Sequence, residues 1–490
     1  MRKHFVVAGL VVAAVFGAVS GETPDAASVP ASRTEWFRNA GYGIFVHYLS
    51  QDAASRADIR SDGADRNWDD CVNAFDVPRF ADAMKRMGAG YVVFTMYQGR
   101  RQFAAPNEAL EREFGVKPTE RPAKRDLVME LADALAERGI PLMLYWTGDG
   151  ADRDDPKLAV KNGWTAPVNR AWVERWARVI ECSARRYGRK VKGWWFDGCY
   201  VTHGNFRYTP ELLKLYEEAV RAGNPDAIVA FNDAIDIPGT YVGQYVPFED
   251  YTAGEKNYFN SFPMDGRWAG TAQWHILTYL GSTWGAPGCR LNTRHLAEYI
   301  YLVNRAGGVA TVDVSIYWDG GLERSQVNTF SGVRGELAKL KEAEKVQCGR
   351  RNLAAMCRAR CLSLRGTTLP TQTRCVGSYL GATDGDLATD ITGSEEWPWQ
   401  LEVDLGKVQE IASVCARYYN GYATRVRVQV SQDGKEWKDV AELDNDNPRE
   451  TKVSFSPVQA RFVRYAALTP NGPKQKGGQM SIAEIEVFGE

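Results

Sequence analysis

With 490 residues, the chain exceeds what one ordinary hydrophobic core supports, and its length predicts two or three domains. Charged residues make up 25% and hydrophobic residues 44%, which is the balance of a soluble globular protein. The formal charge is −1 at pH 7, so the chain lacks the basic surface of nucleic-acid-binding proteins, and no nucleic acid partner is predicted.

The first twenty residues have the layout of a secretory signal peptide. Arg2 and Lys3 form a basic start, residues 5–16 an apolar core, and residues 18–20 a small-residue cleavage site. The alternative, a transmembrane anchor, is disfavoured because the apolar run is too short to cross a bilayer. We therefore expect export to a secreted or periplasmic location, which brings the formal charge from −1 to −3 by removing two positive charges. No later stretch of the sequence is predicted to span a membrane.

Nine cysteines are scattered along the chain without a C-x-x-C pair, and there are only five histidines, which argues against a zinc site. In an exported protein some cysteines are expected to form disulfides. The best-placed candidates are Cys348, Cys357, Cys361 and Cys375. The odd total leaves at least one thiol outside any pair within the chain.

From about residue 34 to 315, apolar strands alternate with amphipathic helices, and the domain that contains them is predicted at 34–347. The first strand is G-Y-G-I-F-V-H-Y (41–48), and a unit of helix, glycine and apolar strand then recurs five times. This repetition predicts parallel β/α units, and about 300 residues suit a (β/α)8-like barrel. The alternative is a doubly wound open sheet, which more often has a glycine-rich phosphate loop after its first strand. The strands of the five units are predicted at 91–97, 140–146, 191–196, 227–231 and 309–315.

The pattern changes after residue 330. A charged helix at 330–345 is predicted to close the barrel domain. From residue 350 to the end, short alternating strands are predicted, for example at 399–405, 425–431 and 461–468. This pattern is typical of an all-β sandwich, so 350–490 is predicted to be a second domain.

In a β/α barrel the active site lies at the carboxyl ends of the strands, so the polar residues that follow each predicted strand are the candidates. They are His47, Tyr97, Gln98, Asp197, Asn232 and Asp233, and the segment 246–255 adds Glu249, Asp250 and Glu255. Several carboxylates with almost no histidine favour acid–base chemistry by a carboxyl pair, as in glycoside hydrolysis. Structural alternatives stay open, because Asp197-Gly198 is a common turn pair, a loop glutamate such as Glu255 is usually solvated, and His47 and Trp284 suit a core.

Five motifs, in chain order, resemble glycoside hydrolase family 29, the α-L-fucosidases. They are E-W-F-R-N-A-G-Y-G-I-F-V-H-Y (35–48), K-G-W-W-F-D-G (192–198), A-F-N-D (230–233), D-Y-T-A-G-E (250–255) and S-T-W-G-A (282–286). The resemblance implies that Asp197 is the nucleophile and Glu255 the acid/base of a double-displacement hydrolysis. It also implies sugar contacts by His47 and Trp284. Period-2 alternation adds Trp195, which lies on the same side of its strand as Asp197.

The second strand departs from this family's pattern. Family members carry K-H-H-D-G there, and its histidines hold the fucose hydroxyls, whereas this chain has F-T-M-Y-Q-G-R-R (94–101). Tyr97 and Gln98 stand at the histidine pair, Tyr48 replaces a tryptophan, and Ala234 replaces an arginine. We therefore expect Tyr97 and Gln98 to bind the substrate in an altered subsite, which leaves the identity of the sugar open.

Four motifs of the second domain look like those of discoidin-type domains, including family 32 carbohydrate-binding modules. They are A-T-D-G-D-L-A-T (382–389), L-E-V-D-L-G (401–406), V-S-Q-D-G-K-E-W (430–437) and A-E-I-E-V-F-G (483–489). Such modules usually hold a structural calcium ion, and the resemblance implies Asp384, Thr389 and Glu484 as its ligands together with backbone carbonyls. The alternative is a metal-free turn.

Together these features predict a secreted, exo-acting, retaining glycosidase of the α-L-fucosidase type with an appended glycan-binding module. Its partner is a glycan substrate, and its catalysis needs no cofactor. Two other hypotheses stay open. One keeps hydrolysis and changes the sugar, for instance to L-galactose. The other is a catalytically inactive protein that only binds glycans.

Overall fold

The computed structural model has an α/β region followed by an all-β region, in the order that the sequence predicts. It describes residues 31–49, 67–98, 102–116, 122–148, 163–201, 206–233, 242–347, 352–362, 379–392, 399–419, 421–470 and 480–490. The predicted signal peptide (1–20) lies outside the described residues, as do Ala234, Cys348 and Cys375.

The helices of the described residues all precede the sandwich. They are α1 (Ala31–Ala40), α2 (Trp68–Ala74), α3 (Val77–Arg86), α4 (Ala109–Phe114), α5 (Leu127–Ala136), α6 (Arg170–Tyr187), α7 (Pro210–Gly223), α8 (Thr293–Arg305), α9 (Arg324–Ser331) and α10 (Val333–Gln347). Across the ranges given above, none of them is long and apolar enough to cross a membrane.

The strands divide between the two regions. The first region has β1 (Tyr42–Val46), β2 (Tyr91–Gln98), β3 (Gln102–Phe103), β4 (Leu142–Thr147), β5 (Val191–Asp197), β6 (Ile228–Phe231), β7 (Trp268–Ala269), β8 (Ala272–Gln273), β9 (His275–Tyr279) and β10 (Val309–Val314). The second has β11 (Arg358–Leu362), β12 (Ile391–Thr392), β13 (Trp399–Tyr418), β14 (Ala423–Ser431), β15 (Lys438–Asp444), β16 (Glu450–Pro470) and β17 (Ser481–Phe488).

Seven parallel strands form a sheet in the order β6-β5-β4-β2-β1-β10-β9. Its two outermost strands are joined by the irregular segment 250–256. Asp250 N donates to Val229 O of β6 at 2.9 Å, and Leu277 N of β9 donates to Gly254 O at 3.0 Å. The segment therefore takes the place of an eighth strand and closes the sheet. This confirms the (β/α)8-like barrel, and the open-sheet alternative is wrong.

The helices bury apolar faces against the outside of the barrel, as α6 illustrates. This helix begins where the Asn169 side chain accepts a hydrogen bond from Trp172 N at 2.9 Å, and it ends at Gly188. Trp172, Trp176 and Ile180 recur at intervals of four residues and are all buried. That spacing forms one apolar stripe along the helix, which packs on the barrel and leads the chain into β5.

Alternate residues of the strands fill the barrel interior, because successive side chains of a strand point to opposite faces. The interior cluster includes Phe45, Val93, Met143, Tyr145, Trp195, Ile228, Ala230, Leu277 and Val309. Two residues further along the same faces come His47, Asp197 and Asn232. The apolar interior therefore ends in a polar layer at the carboxyl ends of the strands, where the active site of such a barrel lies.

The second region is an antiparallel sheet in the order β12-β17-β13-β16-β14-β15, with β11 beside β13. The long strands β13 and β16 pair along most of their length, with register shifts between Asp404 and Gln409 and between Ile411 and Ser413. Such bulges bend a strand and let it serve both layers of a sandwich. The strands enclose a separate apolar cluster that includes Trp399, Val428, Tyr465 and Ile485.

The two regions contact each other through helix α8. Arg294 lies 3.3 Å from the Asp384 carboxylate of the sandwich. Glu298, which is fully buried, accepts a hydrogen bond from Tyr379 N at 2.9 Å, and Tyr379 Oη donates to Phe259 O at 2.8 Å. Helix α8 thus binds the sandwich through both charged and neutral contacts.

Candidate active site

Asp197, the last residue of β5, is surrounded by four hydrogen-bond donors. Its Oδ1 accepts from Gly198 N at 2.8 Å, Tyr200 Oη at 2.9 Å and Asn232 Nδ2 at 2.9 Å. Its Oδ2 accepts from Tyr145 Oη at 2.5 Å. A carboxylate oxygen has about two lone pairs, so Oδ1 is fully engaged and Oδ2 is the oxygen with capacity for a further partner.

The Asn232 amide joins two carboxylates. Besides its bond to Asp197, Nδ2 donates to Glu255 Oε2 at 2.6 Å. Asp197 Oδ1 and Glu255 Oε2 therefore lie at most about 5.5 Å apart, the sum of the 2.9 and 2.6 Å bonds. Asn232 reaches this position because its backbone N–H continues the β5–β6 pairing by donating to Phe196 O at 2.7 Å.

Glu255 is placed by the segment that closes the barrel. It forms an isolated parallel bridge with Leu277 of β9. The preceding Gly254 has φ +63°, and a Cβ on it would lie 2.0 Å from His275 O. Only glycine fits so close to another backbone in that conformation. The glycine of the D-Y-T-A-G-E motif thus allows Glu255 to approach β9 and point to Asn232.

Tyr145 keeps its proton and donates a hydrogen bond to Asp197. Burial raises the pKa of its phenol well above the ordinary value, and the neighbouring charge of Asp197 raises it further. The ring stacks on Trp195 with centroids 5.3 Å apart. Trp195 is itself buried and donates from Nε1 to Ala253 O at 3.0 Å. Trp195 therefore lies in the barrel interior, where it supports Tyr145 and the segment that carries Glu255.

His47 lies at the other side of the same layer. Its Nδ1 is 2.9 Å from Asp313 Oδ1 at the end of β10, and its ring centroid is 5.8 Å from that of Tyr145. The Trp284 ring is also 5.8 Å from His47, and Asp313 Oδ2 accepts from Gly285 N at 2.5 Å. The structure thus brings His47 and Trp284 together beside Tyr145, with Asp313 behind them.

Tyr97 does not join this group, contrary to the sequence-based prediction. The pairing of β2 with β4 shifts register between Thr95 and Tyr97, which is the mark of a β-bulge. The bulge turns Tyr97 outward, where it is 0% exposed and stacks on Phe103 at 4.3 Å. The prediction rested on the position of Tyr97 at a strand end and on the family motif, and Tyr97 as a substrate-binding residue is corrected to a core residue.

Gln98 follows on the opposite face of the strand from Tyr97, the face that leads to the barrel interior. Its Oε1 is buried, and it has no hydrogen-bond partner among the residues that the structure describes. A buried acceptor without a partner is costly, so this atom suits contact with a donor from a ligand.

Two further carboxylates of the 246–255 segment have structural partners. Glu249 is fully buried and accepts from Tyr245 N at 2.6 Å, and burial raises its pKa well above the ordinary value. Asp250 is bound by Arg33 at 3.0 Å and by Arg221 at 2.7 Å. Among the carboxylates of this segment, Glu255 is therefore the one hydrogen-bonded through Asn232 to Asp197.

The three residues implied as calcium ligands lie together in the sandwich. Thr389 Oγ1 is 2.9 Å and 3.0 Å from the two carboxylate oxygens of Asp384. Glu484 Oε2 accepts from Gly385 N at 3.1 Å. Burial raises the pKa of Glu484 to about 8 and also raises the pKa of Asp384, in each case with a contribution from a neighbouring carboxylate.

Two adjacent buried carboxylates and a hydroxyl form an all-oxygen donor set, which fits a hard cation such as calcium. Across the described ranges, no group of three or more His, Cys, Asp or Glu side chains is placed to hold a metal ion. A cation beside Asp384 and Glu484 would therefore take its other ligands from Thr389, backbone carbonyls and water.

Sequence reasoning did not assign roles to Tyr145, Tyr200 or Asp313. Alternation gives a signal for two of them, since Tyr145 and Asp313 lie on inward faces near strand ends. Tyr200 follows Asp197 by three residues in a loop, and its contact has no periodic signal.

The predicted disulfides involve Cys348, Cys357, Cys361 and Cys375, of which Cys348 and Cys375 lie outside the described residues. Cys357 and Cys361 are not bonded to each other. The other pairings among these four cysteines stay a prediction.

The F5/8 type C domain family matches residues 372–485. This range falls within the antiparallel region, so the chain carries an F5/8 type C domain at its C-terminal side, as the discoidin-like motifs predict. No curated protein matches the sequence of the chain.

Three solved structures illustrate what the chain is similar to. A family 29 fucosidase of Ruminococcus gnavus in complex with fucose is 13% identical, with 97% of each chain covered and a TM-score of 0.40. A glycoside hydrolase 29 family member from an unknown rumen bacterium is 15% identical, with 94% of this chain and 77% of that chain covered and a TM-score of 0.42. Chitosan-binding module 2 of a Paenibacillus sp. IK-5 chitosanase/glucanase, in complex with chitotriose, is 25% identical over 28% of this chain and 100% of that chain, with a TM-score of 0.24.

Proposed function

We propose that the chain is a retaining exo-glycosidase of the α-L-fucosidase type, which releases terminal α-L-fucosyl or fucose-configured residues from glycans. The observation that carries this proposal is the carboxyl pair joined by one amide. Asp197 Oδ1 and Glu255 Oε2 both accept from Asn232 Nδ2, so these two oxygens lie at most about 5.5 Å apart. Carboxyl groups of retaining glycosidases are about 5–5.5 Å apart, whereas inverting enzymes need about 6.5–9.5 Å to admit a water molecule.

In the first step, Asp197 Oδ2 forms a bond to the anomeric carbon while the bond from that carbon to the leaving oxygen breaks. Glu255, in its protonated form, gives its proton to the leaving oxygen. Oδ2 is the attacking atom because Oδ1 already accepts three hydrogen bonds. The product is a covalent glycosyl-enzyme and a free alcohol.

In the second step, Glu255 takes a proton from water, whose oxygen bonds to the anomeric carbon as the bond to Asp197 Oδ2 breaks. Asn232 supports both steps, because its amide donates to an oxygen of each carboxyl group. In this second step Tyr145 donates a hydrogen bond to Asp197 Oδ2 as that oxygen separates from the anomeric carbon. The raised pKa of Tyr145 keeps its phenol protonated during the step.

The identity of the sugar is proposed from the walls of this layer. Trp284 and His47 offer an aromatic face and a ring nitrogen beside Tyr145, which suits a sugar with both an apolar side and hydroxyls. The Gln98 Oε1 atom, which has no hydrogen-bond partner in the described part of the chain, favours a sugar hydroxyl that donates. This differs from a histidine pair, so an α-L-galactoside or another fucose-configured substrate is the second candidate.

Hydrolysis of aryl α-L-fucoside and aryl α-L-galactoside, with product configuration followed by NMR, tests the proposal. We expect release of the sugar with retained configuration, and we expect Asp197→Ala to lose about 10⁴-fold or more in kcat. Asp226→Ala, which removes an exposed carboxylate paired with Arg189, is the control for handling and folding. An Asp197→Ala enzyme as fast as the wild type, or a wild type that cleaves no aryl glycoside, would contradict the proposal. In the second case, binding of free sugars would favour the inactive glycan-binding alternative.

The sandwich is proposed to bind glycan and to hold a structural calcium ion at Asp384, Thr389 and Glu484. The support is the buried all-oxygen donor set and its raised carboxyl pKa values. The ion is proposed to stabilise the fold and takes no part in hydrolysis. Export through the segment 1–20 is part of the same proposal, since it would bring the enzyme to extracellular or periplasmic glycans.

A further inference from the structure

Asp313 lies near the end of β10, and its side chain contacts two other segments of the barrel. It is fully buried, and its two carboxylate oxygens have different partners. Oδ1 lies 2.9 Å from His47 Nδ1, and Oδ2 accepts from Gly285 N at 2.5 Å. The first partner directly follows β1, and the second is in the loop after β9.

The Gly285 contact controls the loop that carries Trp284. Gly285 has φ +65°, and the turn closes with a bond from Ala286 N to Thr283 O at 3.1 Å. Gln326 of α9 holds the loop from behind, because its Nε2 donates to Ala286 O at 2.9 Å. Asp313 therefore holds the loop on the barrel side.

The His47 contact fixes the orientation of the imidazole. A carboxylate beside Nδ1 makes that nitrogen the donor, so any contact from His47 to a ligand goes through Nε2. The ring is enclosed by Phe45 at 4.4 Å and by Tyr145 and Trp284 at 5.8 Å. The three neighbouring rings and the Asp313 carboxylate thus fix the orientation of the His47 imidazole.

We propose that Asp313 is the positioning residue for sugar binding. It holds His47 and Trp284 in place as the two walls against which a fucose-configured ring lies. The proposal rests on the proposed function for the identity of the sugar. The buried Asp313 carboxylate contacts His47 and the loop of Trp284, so its loss is expected to loosen both walls. Asp313 itself contacts neither the sugar nor the reacting atoms.

Because His47 and Trp284 would hold the sugar in the bound substrate and in the transition state alike, loss of Asp313 is expected to act on binding rather than on chemistry. Asp313→Asn keeps the size of the side chain and removes its charge. We expect KM for an aryl α-L-fucoside and Kd for free L-fucose to rise about 10- to 100-fold, the usual effect of losing a buried charge-assisted hydrogen bond. The value of kcat should change less than about threefold.

Thr311→Val is the matched control. Thr311 lies two residues earlier on the same strand and the same face, deeper in the barrel, where it bonds Tyr91 at 2.5 Å and His275 at 2.6 Å. This variant removes two buried hydrogen bonds and should lower Tm without changing Kd for L-fucose. If Thr311→Val weakened sugar binding as much as Asp313→Asn, the role of Asp313 would be purely structural and the inference would fail.

A mutant cycle tests whether Asp313 affects sugar binding through His47 and Trp284. In a Trp284→Ala, His47→Ala background, Asp313→Asn should change Kd by less than about threefold, since both walls are already removed. A full additional loss would overturn the inference. If Asp313→Asn does not fold, His47→Gln tests the same contact from the other side, and unchanged L-fucose affinity in it would also overturn the inference.

Calorimetric titration of L-fucose separates the two proposals. A wild type that binds L-fucose without hydrolysing any aryl glycoside contradicts the proposed function and still allows the Kd comparison. A wild type that binds neither L-fucose nor L-galactose overturns the positioning role.

Discussion

A pair of neighbouring carboxyl groups in the barrel and another in the sandwich differ in their surroundings. In the barrel, Asp197 and Glu255 share the Asn232 amide, and Asp197 also accepts from two phenols and a backbone N–H. In the sandwich, Asp384 faces Arg294, and Glu484 accepts from one backbone N–H.

The difference fits the two roles that are proposed for these carboxyl groups. The donors around Asp197 are uncharged, so they hold its carboxyl group in place without pairing it with a cation. The sandwich pair is desolvated, and the pKa of Glu484 rises to about 8. A group in that state favours either a proton or a cation, which suits a binding role. Substitutions at the barrel pair are expected to have larger effects than substitutions at the sandwich pair.

After Asp197→Ala, the largest effect is expected from Glu255→Ala. Without the proton donor, hydrolysis of an alkyl α-L-fucoside should fall about 10²- to 10⁴-fold. A substrate with a good leaving group, such as a dinitrophenyl glycoside, needs no protonation in the first step and should lose much less of that step. Steady-state and burst kinetics on both substrates measure this difference.

Glu249→Gln is the control for Glu255, because it lies in the same segment and bonds only backbone groups. It should keep activity within about threefold of the wild type. If Glu249→Gln lost activity with the same dependence on the leaving group and Glu255→Ala did not, the acid/base would be Glu249.

The next effect is expected from Asn232→Ala, which removes the donor shared by Asp197 and Glu255. The two carboxyl groups would then lose their common support, and kcat/KM should fall about 10- to 100-fold. Asn224→Ala is matched to it, since Asn224 lies before the same strand and donates to Val191 O at 2.9 Å at the opposite end of the barrel. Asn224→Ala should reduce Tm and leave kcat/KM unchanged, and an equal activity loss in both variants would show that Asn232 is merely structural.

The smallest effect concerns the stability of the sandwich without calcium. The pKa of Glu484 rises from 4.5 to about 8 on folding, so between these values the folded chain binds more protons than the unfolded chain. The free energy of unfolding contributed by this group therefore falls as the pH rises from about 4.5 to about 8. Glu484→Gln should flatten this dependence, as measured by thermal unfolding in the presence of chelator.

Calcium should reverse that trend, because it binds the deprotonated carboxylate. We expect the rise in Tm on adding calcium to be larger at pH 8 than at pH 5.5, reaching about 5 °C or more. Glu486→Gln, two residues further on the same strand and paired with Arg417 at 3.1 Å, should keep this response. A Tm that calcium and chelator leave unchanged at both pH values would contradict the calcium proposal.

Local patterns in the sequence were sufficient for the architecture. The repeated helix, glycine and apolar strand predicted the barrel, since hydrophobic periodicity depends only on neighbouring residues. They also predicted that Asp197 ends a buried strand and that 350–490 folds into a separate β structure. The pairing of Asp197 with Glu255 came from a family resemblance, and the structure places both residues on one amide.

The prediction for Tyr97 failed at the bulge in β2. The bulge between Thr95 and Tyr97 reverses the facing of the residues that follow, so Tyr97 became core and Gln98 turned toward the interior. A bulge depends on the pairing partner, which for β2 is β4, and no local pattern in F-T-M-Y-Q marks it.

The amino-acid sequence by itself determined the order of strands and helices, the two kinds of domain and the candidate carboxylates, because these follow from short-range periodicity and motif spacing. Only the tertiary structure decided which side chains meet. Asp313 reaches His47 across 266 residues of chain, and Glu484 lies by Asp384 across the sandwich, because barrel closure and strand pairing bring distant segments together. Such contacts depend on the whole fold, and that is why the positioning residue of the proposed sugar site could be found only there.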